Sequence, residues 1–118
     1  MDNDTPSEFE VQAEAFFNLK ARFNVRGEYH FRNNGLRVAR FDLAILSSDG
    51  VLRLIVEVKK KNRARSWAQA QKYGQLTGLP VIYIRGMDQA KEAVSIVLNH
   101  LKQMNLTEEY IEVGGLGV

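Results

Sequence analysis

Asp42, Glu57, Val58 and Lys59, with Gln69 and Tyr73 a little further on, are the residues whose types and spacing could do chemistry. Two carboxylates and a lysine at the ends of adjacent strands can hold a divalent cation beside a phosphate. Cutting a phosphodiester requires charge neutralisation at the phosphate, a deprotonated water and stabilisation of the leaving alkoxide. A magnesium-like ion supplies all three and keeps several waters of its own, so one or two carboxylates suffice to hold it. Asp42 and Glu57 are the candidate carboxylates, and the backbone carbonyl of Val58 is a candidate third ligand. Lys59 can neutralise the phosphate or position the attacking water. A lone Glu-x-Lys is most often a surface ion pair on a solvated strand. Here it closes a strongly apolar strand, is matched by a second acid, and runs into Lys60, Lys61, Arg63 and Arg65. With Lys59 these make five cations in seven residues. Beside such a site they read as phosphate contacts, and elsewhere they would read as a solvated turn.

Two strands must position these groups, Arg37–Leu46 and Val51–Lys59, joined through Ser47-Ser48-Asp49-Gly50. Closing the hairpin there pairs Leu46 with Val51, Leu43 with Leu54 and Phe41 with Val56, so each inward pair is apolar against apolar. A slip of one residue would put charges into that layer. The same register sets Asp42 opposite Ile55 and Glu57 diagonal to Asp42, roughly 7–8 Å away on one face, with Lys59 two residues further along.

The flanking elements follow from periodicity and caps. Ser7 with Glu10 makes a capping-box pattern ahead of a first helix, about Glu8 to Phe23, whose apolar face is read as Phe9, Ala13, Phe16, Phe17, Lys20 and Phe23. Val25 to Arg32 is a strand with a bulge expected at Gly27, and Asn33-Asn34-Gly35 is a turn. After the basic loop, Ser66 caps a helix that runs to Thr77 and stops at Gly78. Pro80–Arg85 is a short buried strand. Asp88 then caps a last helix carrying Ala90, Ala93, Val94, Val97, Leu98, Leu101 and Met104. Glu109–Val118 reads either as an edge strand through Ile111 and Val113 or as a loose tail. The order αβββαβ followed by α predicts an α/β fold, a small mixed sheet flanked by helices.

Composition bounds the rest. The 118 residues form one domain with a core of about 7–104, large enough for a single core without staples. There is no cysteine, which excludes disulfides, thiol nucleophiles and thiolate metal sites. Met1-Asp2-Asn3-Asp4 is acidic and polar, unlike a signal peptide, and no apolar run approaches the roughly 20 residues that span a bilayer. A cytoplasmic setting is the expectation. The net charge of +2 is a weak pointer to a polyanion, and its clustering says more than its total. No glycine-rich phosphate loop is present, so no nucleotide cofactor is expected, and Gly114-Gly115-Leu116-Gly117 reads as tail. His30 and His100 stand alone without partner spacing. Trp67 reads as packing against the core rather than as a base-stacking platform.

Asp42, followed by Leu54-Ile55-Val56 leading into Glu57-Val58-Lys59, resembles the PD-(D/E)XK nuclease superfamily. Gln69-Ala70-Gln71-Lys72-Tyr73 is similar to the Q-x-x-x-Y motif of its RecB and lambda-exonuclease branch, and Gln and Tyr at i and i+4 share a helix face. The resemblance covers about Ser7 to Met104. Its one visible departure is Phe41, where many members have proline before the aspartate. It implies a restriction-endonuclease-like αβββαβ core, Mg2+ or Mn2+ as cofactor, and DNA as substrate. Gln69 and Tyr73 would support the catalytic Asp42, Glu57 and Lys59. A glutamate from the first helix would join the metal, with Glu10 preferred over Glu14, although capping its own helix would keep Glu10 away. A domain of this size implies a homodimer or larger assembly. The expected activity is divalent-metal-dependent hydrolysis of DNA. The competing reading is a catalytically silent nucleic-acid-binding or assembly module of the same fold.

Overall fold

The computed structural model describes residues 6–59 and 65–112, with side chains for 6–59 and 68–111. The elements run α1 (Glu8–Lys20), β1 (Asn24–Asn33), β2 (Leu36–Leu46), β3 (Leu52–Lys59), α2 (Arg65–Thr77), β4 (Val81–Arg85), α3 (Gly86–Lys91), α4 (Ala93–Gln103) and α5 (Glu109–Glu112). This is an α/β fold around one four-stranded sheet of order β1-β2-β3-β4. β2 is antiparallel to both β1 and β3, and β4 joins β3 in parallel, so the sheet is mixed. The crossover from β3 to β4 is made by α2, as a parallel pair requires.

Strand alternation gives the sheet two different faces. Leu43 and Ile45, Leu54, Val56 and Val58, and Ile82 and Ile84 enter a core completed by Val11, Ala15 and Leu19 of α1 and by Val97 and Leu101 of α4. The opposite face carries Ile55 and Glu57, with Tyr83 paired to Glu57. α2 lies over it, where Tyr73 meets the Phe41 ring edge-on at 4.8 Å between centroids. No helix among the described residues is long and apolar enough to cross a membrane.

The first helix buries a different stripe from the one its aromatics suggest. Val11, Ala15 and Leu19, each four residues apart, are buried, whereas Phe9 is 78% and Phe17 68% exposed. Aliphatic side chains at i, i+4 and i+8 fit the close approach of helix to sheet. The bulkier rings therefore rotate outward, and Phe16 packs only at the core edge. The helix ends at Lys20 rather than Phe23, and Phe23 is buried just beyond it.

Turn chemistry accounts for both hairpins. Asn34 and Gly35 take φ values of 55° and 82°, the left-handed pair that a tight β1–β2 connection demands. The register shifts between Phe31 and Arg32, where Val38 of β2 is left without a partner, and not at Gly27, which pairs with Leu43. The β2–β3 turn closes on Ser47 and Val51, one residue tighter than the expected pairing of Leu46 with Val51. Ser47 N–H donates to the carbonyl of Val51 at 2.8 Å, Gly50 N–H donates to the carbonyl of Ser47 at 2.9 Å, and Gly50 takes φ 89°. An extra residue, Arg53, then bulges from β3. The two effects move the register by two: Leu43 meets Val56, Ala44 meets Ile55 and Ile45 meets Leu54. An even displacement leaves every side chain on its intended face. The bulge has a purpose in packing, because Arg53 lies over the Tyr110 ring at 4.4 Å and its carbonyl accepts from the Tyr110 hydroxyl at 3.0 Å.

The C-terminal part also differs from expectation. Asp88 does not cap a single long helix: it lies in the first turn of α3, and the chain breaks at Glu92 before α4 begins. The segment from Glu109 forms the short α5, not an edge strand, and it buries Ile111. Val113 and Gly114–Gly117 lie outside the described residues.

Leu19→Ala is expected to cost about 3 kcal/mol by denaturant titration, while Phe17→Ala should change stability by no more than about 0.5 kcal/mol. The reverse ranking would mean that α1 buries its aromatic face.

Candidate active site

The pairing of β2 with β3 runs over Leu43–Leu46, and continued one step it sets Asp42 against Glu57. There the side chains take over from the backbone ladder. Asp42 N–H donates to Glu57 Oε2 at 2.9 Å, and Val58 N–H donates to Asp42 Oδ2 at 2.8 Å. Each acid thus holds the other's strand. The diagonal relation expected between them is replaced by a direct one, a consequence of the two-residue register change.

Both acids pay electrostatically for this position. Glu57 is 2% exposed. Burial, and then the Asp42 charge beside it, push its carboxyl up from the ordinary 4.5 to about 8. Asp42 is also raised by burial, against the pull of the Val58 N–H and the Lys59 ammonium. Glu8 and Glu28 raise it further. Lys59 is the cation that favours ionisation of both acids.

Asp42, Glu57, Lys59, Gln69 and Tyr73 line one open cleft of about 570 Å3, with Arg37, Val38, Ala39 and Arg40 forming another part of its wall. Gln69 Nε2 donates to the Tyr73 hydroxyl at 3.1 Å, which in turn reaches the Arg40 carbonyl at 3.5 Å. The i, i+4 pair on α2 is therefore turned toward the acids, and it also ties α2 to β2. Burial raises the Tyr73 hydroxyl above its ordinary value.

Other expected residues fall elsewhere. Glu10 closes the capping box: its Oε1 accepts from Ser7 N–H at 2.8 Å, and its own N–H donates to Ser7 Oγ at 3.1 Å. It does not line the cleft. Glu14 accepts from Asn18 Nδ2, which also donates to the Ala90 carbonyl, so it faces α3. Lys60, Lys61 and Arg63 lie outside the described residues, as do the side chains of Arg65 and Trp67.

Several neighbours of the acids were not anticipated. Gln12 Nε2 donates to the Asp42 carbonyl at 3.3 Å and to Glu28 Oε2 at 2.8 Å, linking α1 to the strand that carries the acid. Glu8 and Gln12, one turn apart, flank the buried Val11 and Ala15. A helical wheel built on the aliphatic stripe would have pointed to them, and the aromatic stripe concealed them. Glu28, at φ 49°, leaves the β1 pairing and bonds Arg40 Nη1 at 3.3 Å. Arg85 pairs with Lys59 in the parallel ladder and carries a buried Nη1 with no hydrogen-bond partner among the described residues.

No group of three or more His, Cys, Asp and Glu side chains able to hold a metal occurs among the described residues. Two carboxyls, however, meet the requirement of an ion that retains most of its water. Asp42 Oδ1 and Glu57 Oε1 are the oxygens not engaged by a backbone donor. Two raised, adjacent acids are a pairing that a divalent cation would relieve, so the donor set fits such an ion. Comparison with protein-family models, with curated proteins and with solved structures returned no match.

Glu57 also makes stability depend on pH. Its folded-state value is raised, so its contribution is fully present below 4.5 and is lost as pH rises toward about 8. In chelator, thermal melts should therefore show wild type losing a few kcal/mol across that window. Glu57→Gln should flatten the loss and melt higher than wild type at the alkaline end. An unchanged slope in the variant would remove Glu57 as the source.

Proposed function

We propose that this chain is a divalent-metal-dependent nuclease that hydrolyses phosphodiester bonds in DNA, on a restriction-endonuclease-like fold resembling the PD-(D/E)XK superfamily. The observation that carries this reading is the pair of buried Glu57 and half-buried Asp42, clasped across two strands at a cleft that also receives Lys59, Gln69 and Tyr73. A structural ion pair would place opposite charges together. Two acids held side by side, one buried and one half-buried and both raised, are better explained by a positive ligand.

Asp42 and Glu57 would hold Mg2+ or Mn2+ through Oδ1 and Oε1, with the Val58 carbonyl as a further oxygen. When bound, such an ion neutralises the phosphate and lowers the pKa of a bound water. The chain's own residues supply the rest. Lys59 offers a cation to the phosphate or hydrogen-bonds the attacking water. Gln69 and Tyr73 present an amide and a hydroxyl to the same space and hold α2 against β2. Gln12 anchors the backbone of Asp42, so the acid's position is set by α1 as well as by its own strand. Glu8 is the glutamate of α1 whose charge reaches Asp42, and it replaces Glu10 as the acid from that helix. A cytoplasmic homodimer or larger assembly remains part of this reading, since one small domain contacts little duplex.

The test is cleavage of plasmid and single-stranded DNA with and without Mg2+ or Mn2+. Wild type should cut only with metal, and Asp42→Ala and Lys59→Ala should each reduce the rate by at least about 100-fold. Mg2+ should also raise the melting temperature of wild type at alkaline pH but not that of Asp42→Ala, a readout independent of turnover. Absence of metal-dependent cutting on every substrate, or cutting indifferent to both substitutions, would leave the binding-module reading in its place.

A further inference from the structure

We infer that the outer half of the β1–β2 hairpin is a grip for the backbone of duplex nucleic acid, built on arginines outside the Lys60–Arg65 loop. The inference rests on the nucleic-acid reading of the cleft and adds where the substrate is held. β2 pairs with β3 only over Leu43–Leu46, whereas its pairing with β1 continues out to Leu36 against Asn33. From Tyr29 and Phe41 outward the hairpin is therefore a two-stranded ribbon beyond the β3 ladder. Five or six residues of strand span about 17–20 Å, the rise of roughly five or six base pairs of duplex.

The ribbon has two unlike sides. Tyr29, Phe31 and Phe41 stack on one, with ring centroids 6.4 and 5.8 Å apart, and this stack stiffens the arm and leads back to Tyr73. On the other side His30 faces Arg40 and Arg32 faces Arg37. Like charges directly opposite each other destabilise a strand pair. Arg40 has Glu28 as a partner at 3.3 Å. Arg32 and Arg37 form no ion pair among the described residues, and both are exposed. A pair of opposed, uncompensated cations on a stiff arm is a repulsion that a polyanion would remove. Arg37 and Arg40 also line the cleft that holds Asp42, Glu57 and Lys59, so the cationic track runs from the acids to the ribbon tip. A two-stranded ribbon is also of a size that a duplex groove admits. A second copy of this chain laid on the same side would oppose cation to cation, which disfavours it as the occupant.

The experiment measures binding of the full chain to a short labelled duplex in chelator, where no metal-dependent cutting interferes, as salt is raised from about 50 to 200 mM. Arg32→Gln with Arg37→Gln should reduce the slope of log K against log salt by about 1.8, two contacts at roughly 0.9 each. Arg37→Glu, which places an acid opposite Arg32, should weaken binding while leaving the melting temperature equal to or above that of wild type. That opposition of affinity and stability is what an arm kept for a polyanion predicts, and a merely structural arginine would lower both. An unchanged slope in the double variant, a melting temperature that falls in parallel with affinity, or no duplex binding by wild type would overturn the inference. Metal-dependent cleavage with an unchanged slope would overturn it while leaving the nuclease reading intact. A lost slope without any cleavage would support the grip and sink the nuclease.

Discussion

The reciprocal clasp of Asp42 and Glu57 is the contact on which the arrangement of this molecule turns. Each carboxylate accepts a backbone N–H from the other's strand, at 2.9 and 2.8 Å, at the point where the β2–β3 ladder stops. A sheet must satisfy its backbone donors wherever it is buried. Here two acids do so in place of carbonyls, which lets β2 leave β3 without orphaned N–H groups. The cleft opens in the space so created. The same bonds commit one oxygen of each carboxylate to structure. Burial then raises both acids, so a feature that completes the sheet also carries an electrostatic cost that a cation would lift.

That clasp connects the parts that surround it. Through Gln12 it reaches α1, whose aliphatic stripe sets how the helix sits on the sheet. Through Val58 and Lys59 it reaches β4, whose parallel pairing places Tyr83 beside Glu57 and Arg85 beside Lys59. On the other side, Tyr73 leans on Phe41 and approaches the Arg40 carbonyl, closing α2 over the strand. Beyond the clasp, β1 and β2 continue as a ribbon whose charges are uncompensated at Arg32 and Arg37. The molecule thus divides into an apolar body, a pair of costly acids at its rim, and a cationic extension, with the acids at the junction.

Much of this was legible in the residues. Alternation in Phe41–Leu46 and Leu52–Val58, the Asn-Gly and Asp-Gly turns, the Ser7–Glu10 box and the stop at Gly78 placed the elements in order and on the right faces. The co-location of Asp42, Glu57, Lys59, Gln69 and Tyr73 also followed, because parity along a strand and i, i+4 spacing on a helix are local properties. The register of the hairpin did not follow, since apolar pairs look equally good at displacements of two, and the choice was made by Ser47 bonding Val51 and by the Arg53 bulge that docks Tyr110.

Local chemistry in the sequence, then, determined which residues could form the site and which face they share. Only tertiary structure decided which part of α1 meets them, because Val11, Ala15 and Leu19 compete for burial with Phe9 and Phe17, and close packing on the sheet settles that competition. It therefore set Gln12 against the Asp42 carbonyl, while Glu10 caps its own helix. Tertiary structure also decided that the two acids face each other directly and that their ionisation is suppressed, since burial and mutual repulsion exist only once both strands are in place. The arginine ribbon belongs to the same class: Arg32 and Arg37 are ordinary in the chain and become an opposed pair only through pairing.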